Sequence, residues 1–163
     1  MVSKRLSRLE GHRRKFMAVI DDTPECQRAV HYAGRRAKNS NGGLVLLYVI
    51  SDADFQQWLG VEEIMRAEAR EEAEATVAKT AQIVRETIGI EPEVVVCEGS
   101  ATEQIHRVIE EDRDIAILVL AAGSAKEGPG PLVSSIAGRS AAFPIPVTVL
   151  PDSLTNEEID ALC

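Results

Sequence analysis

Leu44-Val45-Leu46-Leu47-Tyr48-Val49-Ile50 is seven apolar residues without a break. A half-exposed strand would alternate apolar with polar, so an unbroken run this short predicts a strand covered on both faces. Working outward, the chain alternates such runs with helical patterns. Upstream, residues 16–20 form a first short strand, and Asp21-Asp22-Thr23-Pro24 ends it. Thr23 is then the expected N-cap and Pro24 the first position of a helix. That helix places Cys26, Ala29, Val30, Ala33 and Ala37 on one side, before Asn39-Ser40-Asn41-Gly42-Gly43 stops it.

Downstream, a loop with Phe55 and Trp58 leads into a long helix over 61–88, whose apolar stripe runs through Ile64, Met65, Val77, Ala81, Val84 and Ile88. Its Glu- and Arg-rich outer face is a solvated surface, with pairs such as Glu62–Arg66 adding about 0.3 kcal/mol each. Residues 94–97 are the third strand. Ser100-Ala101-Thr102-Glu103 has the spacing of a capping box and opens a helix with Ile105, Val108 and Ile109 inside. Residues 115–120 are the fourth strand. A glycine-rich stretch, Gly123 to Pro131, feeds a short helix over 132–142, and residues 146–150 form the fifth strand. Thr155 carries a start signal for one last helix in the tail. The expected organisation is a basic leader at 1–14, one domain at 15–151 and a short tail at 152–163.

Strands alternating with helices predict an α/β fold with a parallel sheet. Right-handed crossovers favour a doubly wound, Rossmann-like order 3-2-1-4-5, which reverses between strands one and four. Ligands in such sheets bind at the carboxyl edge of that switch point. Asp21-Asp22-Thr23 and the Gly123 loop converge there.

Composition narrows the function. The 163 residues carry 18 Lys+Arg against 26 Asp+Glu, a net charge of −8. Six of the basic residues and a single acid fall in residues 1–15, so that segment is +5 and the remaining body −13. An acidic body repels phosphate backbones, which argues against nucleic acid as a partner. The leader itself is expected to be a solvated, frayed end. The longest apolar run, Ile115 to Ala122, is eight residues, against about 18 for a membrane helix, and no apolar segment follows the basic start as in a secretory signal. A cytoplasmic protein with no membrane partner is expected. Cys26, Cys97 and Cys163 and the histidines His12, His31 and His106 lack metal spacing, so no metal site is expected.

The Gly123 loop entering a helix is an anion cradle by its physics: free N–H groups and the helix dipole attract negative charge. Ser134 and Ser135 offer hydroxyls and Lys126 a cation. A strand-to-helix turn that is glycine-rich only in order to bend explains the same residues equally well. The loop is no P-loop, because no G-K-[ST] follows the glycines. Asp21 and Asp22 read either as helix-start acids or as ligands of a ribose or metal. A phosphoacceptor receiver is excluded, since Cys97-Glu98-Gly99 stands where that fold needs an aspartate.

Four segments together resemble the universal stress protein family. Lys15-Phe16-Met17-Ala18-Val19-Ile20-Asp21-Asp22-Thr23 is similar to its opening strand, which commonly ends V-D-G-S. Glu98-Gly99-Ser100-Ala101-Thr102-Glu103-Gln104-Ile105 is similar to its third helix start. Ile117-Leu118-Val119-Leu120-Ala121-Ala122-Gly123-Ser124 resembles L-I-V-M-G-S with an extra Ala. Pro146-Val147-Thr148-Val149-Leu150-Pro151 resembles the closing P-V-L-V-V. The resemblance covers residues 15–151 and implies an adenine-nucleotide α-hydrolase-like fold, a homodimer through the fifth strand, and a stress-response or signalling role. Some members bind ATP or AMP. By the same resemblance Asp21 and Val49 would meet the adenosine, and Gly123, Ser124, Lys126, Ser134 and Ser135 the phosphates.

The family's G-x-x-G, nine residues, G-[S/T] motif is altered here. Lys126 stands at the second glycine and Val133 at the third, with Ser134 following; pairing Gly128 with Gly138 instead leaves Arg139 where Ser or Thr belongs. Weak nucleotide binding, or a preference for a smaller anion, is the expectation. Two rival readings remain: a protein-interaction domain whose phosphate site has decayed, and a slow ATP hydrolase. No nucleophile–base pair or hydrolase motif supports the latter.

Overall fold

The computed structural model describes residues 4–21, 23–51, 62–123, 131–137 and 143–163. Five parallel strands, β1 (Lys15–Ile20), β2 (Gly43–Ile50), β3 (Glu93–Glu98), β4 (Ile115–Ala121) and β5 (Val147–Leu150), form one sheet in the order β3-β2-β1-β4-β5. The expected α/β topology and all five strands are present. Among the described residues five helices accompany them: α1 (Cys26–Asn39), α2 (Glu62–Thr87), α3 (Ala101–Glu111), α4 (Pro131–Ala137) and α5 (Asn156–Leu162).

Strand alternation splits the core in two. From the central strand β1, Phe16, Ala18 and Ile20 point to the face covered by α1 and α2, where Val30, Ala33, Val77, Ala81 and Ile88 pack. Met17 and Val19 point to the other face, against Ile105, Val108 and Ile109 of α3 and Val133 and Ile136 of α4. Each fully buried aliphatic side chain contributes about 1.5–3 kcal/mol. A strand that feeds both cores must be apolar throughout, which is why β1 and β2 lack polar alternation.

Local chemistry departs from expectation in three places. Thr23 does not cap α1: the cap position is Glu25, in helical conformation and without a side-chain cap bond, and Thr23 instead turns its amide and hydroxyl to Asp21 Oδ1. Ser100 stands at the N-cap of α3 but makes no side-chain cap bond, so the capping box does not close. The box that does close belongs to Thr155 and Glu158 at the start of α5. Ile64 is 63% exposed rather than in the stripe of α2, and Met65 packs only partly against Ile50 and Ala73.

From residue 4 on, the leader is largely exposed but not frayed. Leu6 N donates to Arg113 O at 3.0 Å, Arg113 Nε donates to Lys4 O at 2.9 Å, and His12 Nδ1 lies 2.8 Å from Asp114 Oδ1. Arg5 Nη1 donates to Ile109 O at 2.6 Å, satisfying a carbonyl at the end of α3. These bonds fasten the leader to the α3–β4 turn, at the amino-end pole of the sheet. The tail docks through α5 onto α1, with Ile159 fully buried.

Candidate functional site

Asp21 is the first residue beyond β1, at the point where the strand order reverses. Three cavities adjoin it. One of about 370 Å³ is lined by Val19, Asp21, Val49, Thr102, Leu132 and Ser135, among others. A second, of about 230 Å³, lies between Asp21, the end of β2 at Tyr48–Ser51, and Ala69 and Glu72 of α2. The third, of about 110 Å³, runs from Asp21, Thr23 and Cys26 to Gly123 and Val133. A parallel sheet with its crevice at the switch point is built to produce this convergence.

The turn after β1 fixes the carboxylate. Thr23 N donates to Asp21 Oδ1 at 2.8 Å and the Thr23 hydroxyl donates to the same oxygen, while Cys26 Sγ reaches the Asp21 carbonyl at 3.6 Å. This is an Asx-type turn. Both side-chain contacts fall on Oδ1, so Oδ2 has no partner among the described residues and is available as an acceptor. Burial pushes the Cys26 thiol above its ordinary pKa, so it stays protonated near neutrality and is a poor nucleophile.

On the opposite wall, the Thr102 and Ser135 hydroxyls lie 3.2 Å apart and join the start of α3 to α4. Val133 is buried among the apolar side chains of that face and lines the smallest cavity, so a branched side chain occupies the place next to Gly123. The charged residues lining the three cavities among the described residues are acids only: Asp21, Glu25 and Glu72.

Asp21, Val49, Gly123 and Ser135 therefore come together around one crevice. Ser134 is exposed on α4 and lines none of the three cavities. Ser124 and Lys126 lie outside the described residues, as do Asp22, Phe55, Trp58, Gly128, Gly138 and Arg139. Sequence reasoning missed Thr102, Ser100 and Glu72 as lining residues. Ser100 and Thr102 had been assigned to starting a helix. The signal that would have found them is topological, since the carboxyl end of β3 lies on the same sheet edge as Asp21.

Comparison with known proteins agrees with this architecture. Among curated proteins none matches the sequence. The universal stress protein UspA from Lactobacillus plantarum superposes with a TM-score of 0.70 at 17% identity, over 84% of this chain and 97% of that one. A universal stress protein from Archaeoglobus fulgidus solved in complex with dAMP gives 0.58 at 14% identity, over 83% and 96%. A universal stress protein in complex with cAMP gives 0.57 at 14% identity, over 86% and 98%. The model of the universal stress protein family matches residues 12–151, and the chain belongs to that family.

Proposed function

We propose that the protein binds an adenine nucleotide of low phosphate charge at the Asp21 crevice and acts as a homodimeric stress-response or signalling module. The observation that carries the reading is the meeting of three cavities at a carboxylate with one unengaged oxygen, beside Val49. Adenosine would lie between Asp21 and Val49, its ribose hydroxyls donating to Asp21 Oδ2. Phosphate would sit toward Gly123, Ser124, Lys126, Ser134 and Ser135. The acids lining the crevice oppose a triphosphate, and Val133 takes up room beside Gly123. AMP-class ligands are thus favoured over ATP, in keeping with the dAMP and cAMP held by the two similar structures. The ligand-binding unit would be residues 15–151, the dimer contact the free edge of β5, and the compartment the cytoplasm.

Val133 also supports a second reading, a protein-interaction module that no longer holds phosphate. Titration calorimetry with AMP and ATP, on the wild type and on Asp21→Ala, decides between them. AMP binding tighter than ATP and weakened about tenfold or more by Asp21→Ala is expected, as for loss of a hydrogen bond to a charged group. Binding indifferent to Asp21→Ala would reject the pose. Absence of binding at millimolar nucleotide would favour the interaction module.

A further inference from the structure

At the pole of the sheet opposite Asp21 lies a cleft of about 340 Å³, lined by Arg13, Lys38, Asn41, Gly42, Gly43 and Glu91 among others. Several cations at this pole already have partners. Lys15 Nζ bridges Asp112 at 2.8 Å and Glu93 at 2.9 Å, Arg5 lies on the carbonyls of Ile109 and Ile115, and Arg85 holds Glu91 through two bonds of 2.6 and 2.9 Å. Arg13 differs: among the described residues its guanidinium has no acid or carbonyl partner, although it faces the cleft.

Arg13 is nonetheless held in place. His12 is anchored to Asp114 on one side, and on the other Gly43 N donates to Arg14 O at 2.9 Å. A Cβ on Gly43 would stand 3.6 Å from Arg13 Nε and 3.7 Å from Nη2, so the guanidinium lies across a position with no side chain. Lys38 approaches from α1, with Nζ donating one of its three protons to Ile88 O at 2.7 Å. Asn41, in left-handed conformation, completes the rim. The one acid lining the cleft among the described residues, Glu91, is paired with Arg85.

We infer that this cleft is an oxyanion site, in which Arg13 and Lys38 bind the phosphate or carboxylate of a small metabolite. Two positive charges facing one concavity, on a body that is otherwise strongly acidic, mark a local reversal of field that attracts anions. Arginine presents a planar fork suited to either oxyanion, and lysine adds a point charge. The volume exceeds the roughly 30 Å³ share of a water molecule many times over, so the cleft has room for a ligand larger than a bare ion. Because the leader is fastened at both ends of Arg13, little ordering remains to oppose binding. The site is independent of the nucleotide reading.

The test is an amide NMR titration of the full chain with pyrophosphate, and separately with citrate, as phosphate and carboxylate probes. Either probe is expected to shift the amides of Asn41, Gly42 and Gly43, and the tighter one identifies the anion class. Arg13→Gln, at an exposed position with no partner among the described residues, should weaken binding about tenfold without altering the fold. Glu91→Gln should tighten it, since it removes a carboxylate from the cleft and releases Arg85. Asp21→Ala should leave it unchanged. Shifts confined to Thr23 and Gly123, affinity unaffected by Arg13→Gln, or no shift at millimolar probe would each overturn the proposal.

Discussion

His31 Nε2 and Asp160 Oδ1 stand 2.7 Å apart although 129 residues separate them in the chain. Arg35 Nε lies 3.1 Å from the same carboxylate oxygen. Together with buried Ile159, this pair decides where the tail goes: onto α1, rather than over the free edge of β5. The hydrogen bond from His31, and then the charge of Arg35, hold the Asp160 carboxyl below its ordinary value of 3.8.

A carboxyl with a lowered folded pKa stabilises the chain at pH above the unfolded value, and that contribution is lost as pH falls through the folded value. Asp160→Asn should therefore lower the Tm at neutral pH. The two Tm curves should converge as the pH drops below 3.8. Thermal melts across the acid range check this, and a constant gap between the curves would contradict it.

Arg5 satisfies carbonyls at the end of α3 and the start of β4. Arg5→Ala should cost about 1–2 kcal/mol, as for a charged donor removed from partly buried acceptors. Hydrogen exchange should show the Leu6 amide opening with it, because the bond from Leu6 N to Arg113 O depends on a docked leader. Denaturant unfolding gives the first quantity.

Two glycines separate steric from helical effects. A Cβ at Gly42 would run into the backbone carbonyl of Arg14, which cannot move without disturbing β1, so Gly42→Ala should destabilise by about 1–3 kcal/mol. At Gly34 the new Cβ meets only the tip of the Ile88 side chain, and alanine gains about 1 kcal/mol of helix propensity. Gly34→Ala should thus cost clearly less. Urea midpoints of the two variants test the order.

Val149 is 41% exposed on β5, the last strand of the sheet. If a second copy covers that edge, Val149→Lys should convert a dimer to a monomer while leaving the monomer's circular dichroism unchanged, since a lysine on an open edge blocks pairing. Sedimentation velocity at micromolar concentration reads this directly. A wild type that sediments as a monomer would dismiss the β5 interface.

Much of the fold was legible because its cause is local in sequence. Apolar runs such as Leu44-Val45-Leu46-Leu47-Tyr48-Val49-Ile50 can be satisfied only by strands covered on both sides. With helices between them, handedness leaves few orders for the sheet. Asp21 and Gly123 were locatable for the same reason, since the carboxyl ends of strands one and four border any switch point. Hydrogen-bond competition was not legible. Thr23 fits the pattern of an N-cap, but only the conformation after β1 showed its hydroxyl turned to Asp21 rather than to α1.

Sequence alone thus determined the parallel sheet, its order and the pole at which the switch point opens, because period and chirality constrain these without knowledge of distant contacts. Tertiary structure alone decided which polar groups are engaged. Arg5 and Arg13 are equivalent in a sequence read for charge. The fold sets one against carbonyls at the end of α3 and the start of β4 and leaves the other facing an open cleft. The same holds for Ser100 and Thr155, both at helix starts with acid three residues on, of which only Thr155 closes its box. A side chain's partner depends on what the rest of the chain brings within about 3 Å of it, and no short-range pattern carries that information.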